Sequence, residues 1–138
     1  MRVLGIDPGA RRIGVALSDP LGLVARRLLI LNHENLASDA DRLVRLASEH
    51  GVDRVVVGLA TDSEGRHGPQ ANRALRLVSA LRLRSRTPIE TWDESFSTED
   101  ARKARLERGD RRKSRRAAID DSAAAAMLQD YLDAHPSP

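Results

Sequence analysis

The sequence predicts one α/β domain, residues 1–138, built on a mixed β-sheet with helices on both faces. The first third of the chain contains short apolar runs that are joined by tight turns. Such connections favour antiparallel hairpins, because a parallel crossover needs a dozen or more residues. Strand-like and helix-like segments then alternate, which is the pattern of βαβ units. A length of 138 residues suits one ordinary domain with its own hydrophobic core.

Three strands are predicted in the first third of the chain. Residues 3–7 form a short apolar run that ends in Asp-Pro-Gly, a sequence typical of turns. Residues 13–17 (IGVAL) follow and are closed by Ser-Asp-Pro, and a third extended run covers residues 21–31. The short connections predict that these three strands are antiparallel neighbours in the sheet.

Helices and strands alternate over the middle of the chain. Apolar residues at helical spacing predict a helix over residues 36–47, with Gly51 at its C-terminal cap. The β-branched run 54–58 (RVVVG) predicts a strand that is covered on both faces. Pro69 suits the first turn of the next helix, and residues 88–92 (PIETW) predict a further strand. The helix after Pro69 is predicted to bury Ala71, Ala74, Leu75, Val78 and Leu81.

A helix and a charged loop are predicted after this strand. Ser97 would cap the helix, with Asp100 three residues further on in a capping-box arrangement, and the helix would run to about Arg108. Residues 109–116 are too charged to pack against a core. We therefore expect them to form a mobile loop.

The last helix is expected over residues 117–134, where apolar residues recur every fourth position. Four consecutive alanines at 123–126 would make its surface thin, so that it could lie close against the sheet. The tail, residues 135–138, is expected to fray.

Composition excludes several classes of protein. The chain has no cysteine, which excludes disulfides and thiolate zinc sites. No apolar run approaches the roughly 20 residues that span a bilayer, and Asp7 interrupts the apolar stretch that a signal peptide would need. We therefore expect a cytoplasmic protein. The histidines have no suggested Ser or Cys partner and are interpreted as surface residues: His33, His50, His67 and His135.

Positive charge is concentrated in one segment of the sequence. Residues 102–116 contain nine Arg or Lys and two acids, a net charge of 9 − 2 = +7, so the remainder carries 3 − 7 = −4. A basic stretch on a mildly acidic body indicates an anionic partner, with nucleic acid first; a solubilising loop is the alternative. Aromatic residues are few, which favours contacts to backbone phosphates over base stacking.

Three acids from distant parts of the chain lie at the ends of predicted elements. Asp7 closes the first strand, Glu94 follows the strand that ends at Trp92, and Asp120 lies near the front of the last helix. Each of them alone is commonly a turn or cap residue. Strand ends can, however, bring acids together at one sheet edge, where a hard cation such as Mg²⁺ or Mn²⁺ offsets their repulsion.

The sequence resembles the YqgF/RuvX family, which comprises pre-16S rRNA nucleases also described as Holliday-junction-resolvase-like proteins. Four motifs carry the resemblance in order: LGIDPG (4–9) with RIGVA (12–16) and Ser18-Asp19; VVGL (56–59) with Gly65 and Gly68; DES (93–95) with Ser97, Thr98 and Ala101; and, after a basic loop, Ile119-Asp120, the alanine run, Leu128-Gln129 and Tyr131-Leu132. Two positions depart from the family pattern. Ala60 replaces a proline, and Ser95 replaces an arginine that would hold a phosphate or orient a carboxylate.

The resemblance implies a ribonuclease-H-like fold and metal-assisted cleavage of a phosphodiester bond. Carried over by position, the catalytic and metal-binding acids are Asp7, Glu94 and Asp120, with Asp121 as an alternative register for the last. A two-metal site of Mg²⁺ or Mn²⁺ would have Asp7 bridging the ions between the other two acids. The basic residues expected to bind nucleic acid are Arg11, Arg12, Arg111, Arg112, Lys113, Arg115 and Arg116.

The substrate implied by the resemblance is either RNA or DNA. Processing of the 5′ end of pre-16S rRNA is favoured, because a resolvase cuts two strands symmetrically and needs a dimer, and no exposed apolar stripe predicts one. We expect a monomer or a weak homodimer. Two other functions stay open: an ATPase, since LGIDPG also resembles the first phosphate motif of actin-like and sugar-kinase ATPases, and a non-catalytic nucleic-acid-binding factor.

Overall fold

The computed structural model describes residues 1–60, 66–94 and 122–136. Within these ranges the chain forms five strands and three helices. In order along the chain they are β1 (Val3–Pro8), β2 (Arg12–Ser18), β3 (Ala25–Asn32), α1 (Leu36–Glu49), β4 (Arg54–Leu59), α2 (Pro69–Arg84), β5 (Ile89–Asp93) and α3 (Ala123–Ala134). The helix predicted from Ser97 to Arg108, and the loop 109–116, lie outside the described residues.

The five strands form one mixed sheet in the order β3-β2-β1-β4-β5. The first three strands are antiparallel neighbours, whereas β4 and β5 pair in parallel with β1 and with each other. This confirms the predicted combination of hairpins followed by βαβ crossovers. The carboxyl ends of β1, β4 and β5 therefore meet at the same edge of the sheet.

Each face of the sheet has its own hydrophobic core. One core contains Leu4 and Ile6 from β1 together with the buried faces of α1 and α2. The other contains Val3 from the same strand and the buried face of α3. Side chains alternate between the two faces along a strand, so helices on both sides are required to cover the sheet. In β4, Val55 and Val57 enter the first core and Val56 the second, which confirms the strand covered on both faces.

Helix α1 is capped at both ends, and the glycine at its C-terminal end is the one that the sequence predicts. The side chain of Asn35 accepts a hydrogen bond from the backbone N–H of Ser38 at 2.8 Å. At the other end, Gly51 has φ of +59°, a left-handed conformation that glycine adopts at little cost. Pro69 is in the first turn of α2, as predicted.

The third strand begins at Ala25, so the predicted start at residue 21 is wrong. The carboxylate of Asp19 accepts hydrogen bonds from the backbone N–H groups of Leu21, Leu23 and Val24, at 3.2, 2.6 and 2.8 Å. Burial raises the pKa of Asp19, but these backbone donors outweigh it and lower the pKa. The bonds hold the segment as a turn, which takes its backbone out of the sheet.

Two further expectations are corrected by the packing of the helices. In α2, Leu77 is buried, whereas Leu75 is only partly buried at the edge of the core. In α3, Ser122 is extended and is the N-cap, so the helix begins at Ala123 and the predicted start at residue 117 is wrong. The apolar pattern of the helix also extends to residues before Ser122 in the sequence. The Ser122 hydroxyl, however, accepts a hydrogen bond from the Ala125 N–H and so fixes the N-terminus of the helix.

No helix within the described ranges is both long and apolar enough to span a membrane.

Candidate active site

Asp7 lies near the carboxyl end of β1, on the face of the sheet that α3 covers. In the β1–β2 pairing it is opposite Gly14. A Cβ added to Gly14 would lie 3.2 Å from the Cβ of Ala124 in α3 and 3.8 Å from the Cβ of Asp7. Asp7 is therefore beside the first turn of α3. It is half-buried, and this burial raises the pKa of its carboxyl group.

Glu94 follows β5 directly, and its side chain reaches back over β4. Its Oε1 atom is 2.8 Å from the position that a Cβ on Gly58 would occupy. Since β4 lies between β1 and β5 in the sheet, this places the Glu94 carboxylate on the side of its own strand that faces Asp7. The glycine leaves the space that the carboxylate fills.

The two carboxylates are electrostatically coupled. Burial is the main cause that raises the pKa of Glu94, followed by repulsion from Asp7 and then from Asp93. Within the described part of the chain, neither Asp7 nor Glu94 has a hydrogen-bonding or ionic partner of its own. Two half-buried acids that repel each other make a site in which a bound cation would be stabilised.

The structure brings together two of the three predicted acids. Asp120 and its register alternative Asp121 lie outside the described residues. Inside those ranges, no group of three or more His, Cys, Asp or Glu is arranged to hold a metal ion. Ser122, which follows Asp121 directly, is the N-cap of α3. This N-terminal end of α3 lies beside Asp7. The third acid, Asp120, therefore stays a prediction.

Helix α3 approaches the sheet closely because glycines of the strands face it. The position of a Cβ on Gly5 is only 2.9 Å from the Cβ of Leu128. Ala124 and Ala125 are fully buried against the sheet, which confirms the expected close approach of the alanine run. Sequence reasoning missed the part that Gly58 has in the site. Gly58 belongs to the VVGL motif, but the motif does not indicate that Glu94 fills the space beside this glycine.

Two of the predicted basic residues are at the same edge of the sheet. Arg11 and Arg12 are exposed where β1 is joined to β2: Arg11 is in the turn, and Arg12 is the first residue of β2. The turn is closed by a 2.9 Å hydrogen bond from the Gly9 N–H to the Arg12 carbonyl, and a Cβ on Gly9 would lie 2.5 Å from that oxygen. The other predicted contacts lie outside the described residues: Arg111, Arg112, Lys113, Arg115 and Arg116.

The architecture is similar to that of two solved proteins in complex with Holliday junctions. Over 96% of this chain and 88% of the other, it matches Thermus thermophilus RuvC in complex with a Holliday junction substrate, with a TM-score of 0.58 and 18% identity. A fowlpox virus resolvase in complex with Holliday junction DNA matches over 99% of this chain and 100% of the other, with a TM-score of 0.50 and 11% identity. The mixed sheet with α3 against the acids defines a ribonuclease-H-like domain.

Sequence comparison identifies the family. The model of the RuvX family, described as Holliday junction resolvase, matches residues 1–134. The chain belongs to the RuvX family, which confirms the resemblance of its motifs.

Relatives named "Putative pre-16S rRNA nuclease" match nearly end to end. The protein from Symbiobacterium thermophilum is 43% identical over 134 residues, covering 97% of this chain and 93% of its own length. The protein from Desulforamulus reducens is 39% identical over 133 residues, covering 96% and 97%. The protein from Myxococcus xanthus is 40% identical over 138 residues, covering 100% and 91%.

Proposed function

We propose that this chain is a metal-dependent nuclease that processes the 5′ end of pre-16S rRNA in the cytoplasm. The observation that carries the proposal is the Glu94 carboxylate, which lies over Gly58 on the side that faces Asp7 and repels it. The names of the relatives, which match over almost their whole length, support the rRNA substrate. Asp7, Glu94 and Asp120 are the proposed catalytic and metal-binding acids.

The residues at the site fit a divalent metal ion. Carboxylate oxygens are the ligands that Mg²⁺ and Mn²⁺ prefer. Burial raises the pKa of both Asp7 and Glu94, and a bound cation would oppose this rise because it favours their ionised forms. Asp120 precedes the cap of α3 by two positions in the sequence, and its match to the Ile-Asp pair of the family motif supports it as the third ligand. Such ions, when bound, lower the pKa of a water molecule and stabilise the leaving oxygen.

The side chains around the acids have distinct parts in this proposal. Asp7 and Glu94 would hold the cation, and Gly58 leaves the space that the Glu94 carboxylate fills. Arg11 and Arg12 are exposed at the same edge and would attract the phosphate backbone. We propose the same backbone-binding role for the basic segment before Asp120, which comprises Arg111, Arg112, Lys113, Arg115 and Arg116.

Holliday-junction cleavage is the second candidate function. The description of the family model and the two solved complexes with junction substrates favour it. A junction resolvase must cut two strands symmetrically, so this function requires a dimer. The rRNA-processing function is compatible with a monomer or a weak homodimer.

One experiment tests the proposed function and separates its two forms. A 5′ segment of pre-16S rRNA and a four-way DNA junction are each incubated with wild type, Asp7→Asn and the control Asp41→Asn, in Mg²⁺, Mn²⁺ or EDTA. Asp41 is an exposed acid of α1 that pairs with Arg84 at 2.8 Å, away from the site. We expect metal-dependent cleavage of the RNA by wild type and Asp41→Asn, and none by Asp7→Asn.

Preferential cleavage of the junction by a dimer would instead establish the resolvase function. Unchanged cleavage by Asp7→Asn would contradict the assignment of the site. If neither substrate is cut in any metal, the proposed nuclease activity is wrong.

A further inference from the structure

Strand β3 is an edge of the sheet, and part of its surface is exposed on the face that carries the acids. We call this face, which α3 covers in part, the α3 face. Asp7 points to the α3 face and is opposite Gly14, which is in turn opposite Ile30. Residues directly opposite each other in a sheet point to the same face. The row that begins at Asp7 therefore ends, two strands away, in the side chain of Ile30, which is 53% exposed.

A β-bulge at Leu28 decides the face to which Arg27 points. The residues of β2 opposite Leu29 and Arg27 are consecutive, so Leu28 is an extra residue in β3. Leu28 and Leu29 both pack against the core that α1 and α2 cover. Strict alternation would put Arg27 and Ile30 on opposite faces, but the extra residue brings both to the α3 face. Ala25, two residues before Arg27, enters the core under α3, which agrees with this orientation.

Arg12 and Asn32 extend the exposed part of the α3 face. They are opposite each other, and each is two residues from the Gly14–Ile30 pair, so both point to the α3 face. Arg27 lies at a similar distance on the other side of that pair. Arg12, Arg27 and Asn32 are exposed, as Ile30 is. These four residues form one continuous patch, which we call the β3 surface.

The β3 surface has the charge and the position of a contact to the nucleic-acid backbone. Ile30 is two strand spacings from Asp7, about 10 Å. Arg12 and the residue opposite Arg27 are four positions apart in β2, about 13 Å. The two guanidinium groups therefore suit different phosphates of one strand. Each guanidinium has five N–H donors, so it can bind a phosphate as well as a neighbouring acid.

Pairing with a strand of a second copy does not explain this exposed edge. At one end of β3 the Ala25 N–H donates to Gln129 Oε1 at 2.9 Å, and at the other end Arg42 Nη2 donates to the Asn32 carbonyl at 2.8 Å. Side chains thus occupy backbone groups that an added strand would need. A bulge and charged side chains also oppose the pairing of an edge strand. Bulges next to active sites often redirect a side chain, as this one redirects Arg27.

We propose that the β3 surface binds the backbone of the nucleic-acid substrate beside the cleaved phosphate, with Arg12 and Arg27 on two different phosphates and Ile30 against the sugar between them. The inference rests on the proposed nuclease function. It gives the bound strand a path, from Asp7 past the first turn of α3 and onto the edge strand. Arg27 lies outside the family motifs, so it is a contact that those motifs do not include.

The test compares Arg27 with its neighbour Arg26 in a binding measurement in EDTA, where cleavage is absent. Arg26 is also exposed, but it is opposite Leu17, which packs against the core on the other face. A fluorescein-labelled 5′ segment of pre-16S rRNA is titrated with wild type, Arg12→Gln, Arg27→Gln, Arg27→Lys and the control Arg26→Gln at several salt concentrations, with anisotropy as the readout.

The salt dependence identifies a phosphate contact. We expect Arg12→Gln and Arg27→Gln each to flatten the slope of log K against log salt by about 0.7, the value for one phosphate of a single strand. This corresponds to binding about fivefold weaker at 0.1 M salt. Arg27→Lys, which keeps the charge, should retain the wild-type slope, and Arg26→Gln should bind like wild type.

Two results would overturn the inference. Equal slopes for Arg26→Gln and Arg27→Gln would show that net charge alone is responsible, and not the face to which the side chain points. Weaker binding by Arg27→Gln with a lowered Tm and an unchanged slope would show that the residue has a structural role only.

A crosslink tests the path of the strand. The chain has no cysteine, so Ile30→Cys introduces a single thiol, to which a photoactivatable aryl azide is attached. Because Ile30 is about 10 Å from Asp7, the crosslinked nucleotides should lie within about three positions of the cut made by wild type. Arg26→Cys, labelled in the same way, is the control and should not crosslink there. Equal crosslinking from both positions would contradict the proposed path.

Failure of this inference is distinguishable from failure of the proposed function. If wild type cleaves its substrate and Arg27→Gln binds like Arg26→Gln, the nuclease function stands and the β3 surface has no part in it. If wild type cleaves nothing but binds RNA with a slope that depends on Arg27, the β3 surface stands for a non-catalytic binding protein.

Discussion

The carboxylate of Glu94 fills the space that a side chain on Gly58 would occupy, with Oε1 2.8 Å from the position of the missing Cβ. This relationship joins two motifs that are 36 positions apart in the sequence (94 − 58). Because β4 separates β1 from β5, Glu94 can reach toward Asp7 only over a residue of β4 that has no side chain. The glycine is therefore part of the site as well as of the strand.

Gly58→Ala should reduce activity much more than it reduces stability. The new methyl group would meet the flexible end of Glu94, which can move, and the Met127 Cγ at 3.2 Å. Displacement of a ligating carboxylate by about 1 Å is expected to lower kcat on the order of tenfold to a hundredfold. Steady-state cleavage and thermal unfolding, measured on the same preparations, check this.

The matched control for this substitution is Gly68→Ala, where an added Cβ has no atom within 4 Å. It should leave cleavage unchanged. Wild-type kcat in Gly58→Ala would show that the position of Glu94 over Gly58 has no part in catalysis.

Removing either acid should stabilise the metal-free protein at neutral pH. The folded-state pKa values of Asp7 and Glu94 are raised, so between the ordinary and the raised pKa the folded protein binds more protons than the unfolded one. The free energy of unfolding therefore falls as the pH rises through that interval. Asp7→Asn and Glu94→Gln avoid this loss, so their Tm at pH 7 should exceed that of wild type by a few degrees.

The same argument predicts how the difference depends on pH. It should shrink as the pH falls through the raised pKa values, and it should be absent well below about 4, the ordinary carboxyl pKa, where both acids are protonated in either state. Glu49→Gln, an exposed acid at the end of α1, serves as the control and should show no gain. A lower Tm for both site variants at pH 7 would mean that the acids do not destabilise the metal-free protein.

Loss of the α3 cap should destabilise the protein and weaken the site. Ser122→Ala removes the oxygen that accepts from the Ala125 N–H at 3.1 Å, which costs about 1 kcal/mol. Chemical denaturation measures the cost, and cleavage by folded Ser122→Ala is expected to fall because this turn lies beside Asp7. Ser122→Thr keeps an acceptor oxygen and should retain most of both properties; equal effects of Ala and Thr would exclude capping as the cause.

The close packing of α3 predicts that Gly5→Ala is poorly tolerated. Its Cβ would lie 2.9 Å from the Cβ of Leu128, which is rigidly attached to the helix backbone. Overpacking of this kind costs about 1–3 kcal/mol. Urea denaturation should show the loss, and an unchanged midpoint would mean that α3 can move away from the sheet freely.

Much of the fold follows from local sequence signals, and the exceptions have identifiable causes. The run 54–58 and the short turns after residues 7 and 17 predict the strands and their antiparallel start, because burial and chain geometry leave few alternatives. The start of β3 was missed because Asp19 binds three backbone N–H groups, which an apolar count does not reveal. The start of α3 was placed too early because Ile119 continues the helical period beyond Ser122.

Part of the candidate site could also be predicted from local sequence signals. Asp7 and Glu94 stand at strand ends, and parallel strands bring such ends to one edge. The space over Gly58 could not be predicted, since a glycine does not specify which side chain fills the space that it leaves.

A measurement of metal binding is the most direct test of the claim that Asp7 and Glu94 form one cation site. Mn²⁺ is titrated calorimetrically into wild type, Asp7→Asn, Glu94→Gln and the control Asp41→Asn, with no nucleic acid present. We predict that wild type and Asp41→Asn bind Mn²⁺ with the same Kd, and that each site variant binds at least about tenfold more weakly, a loss of about 1.4 kcal/mol. Wild-type affinity in both Asp7→Asn and Glu94→Gln would contradict the central claim.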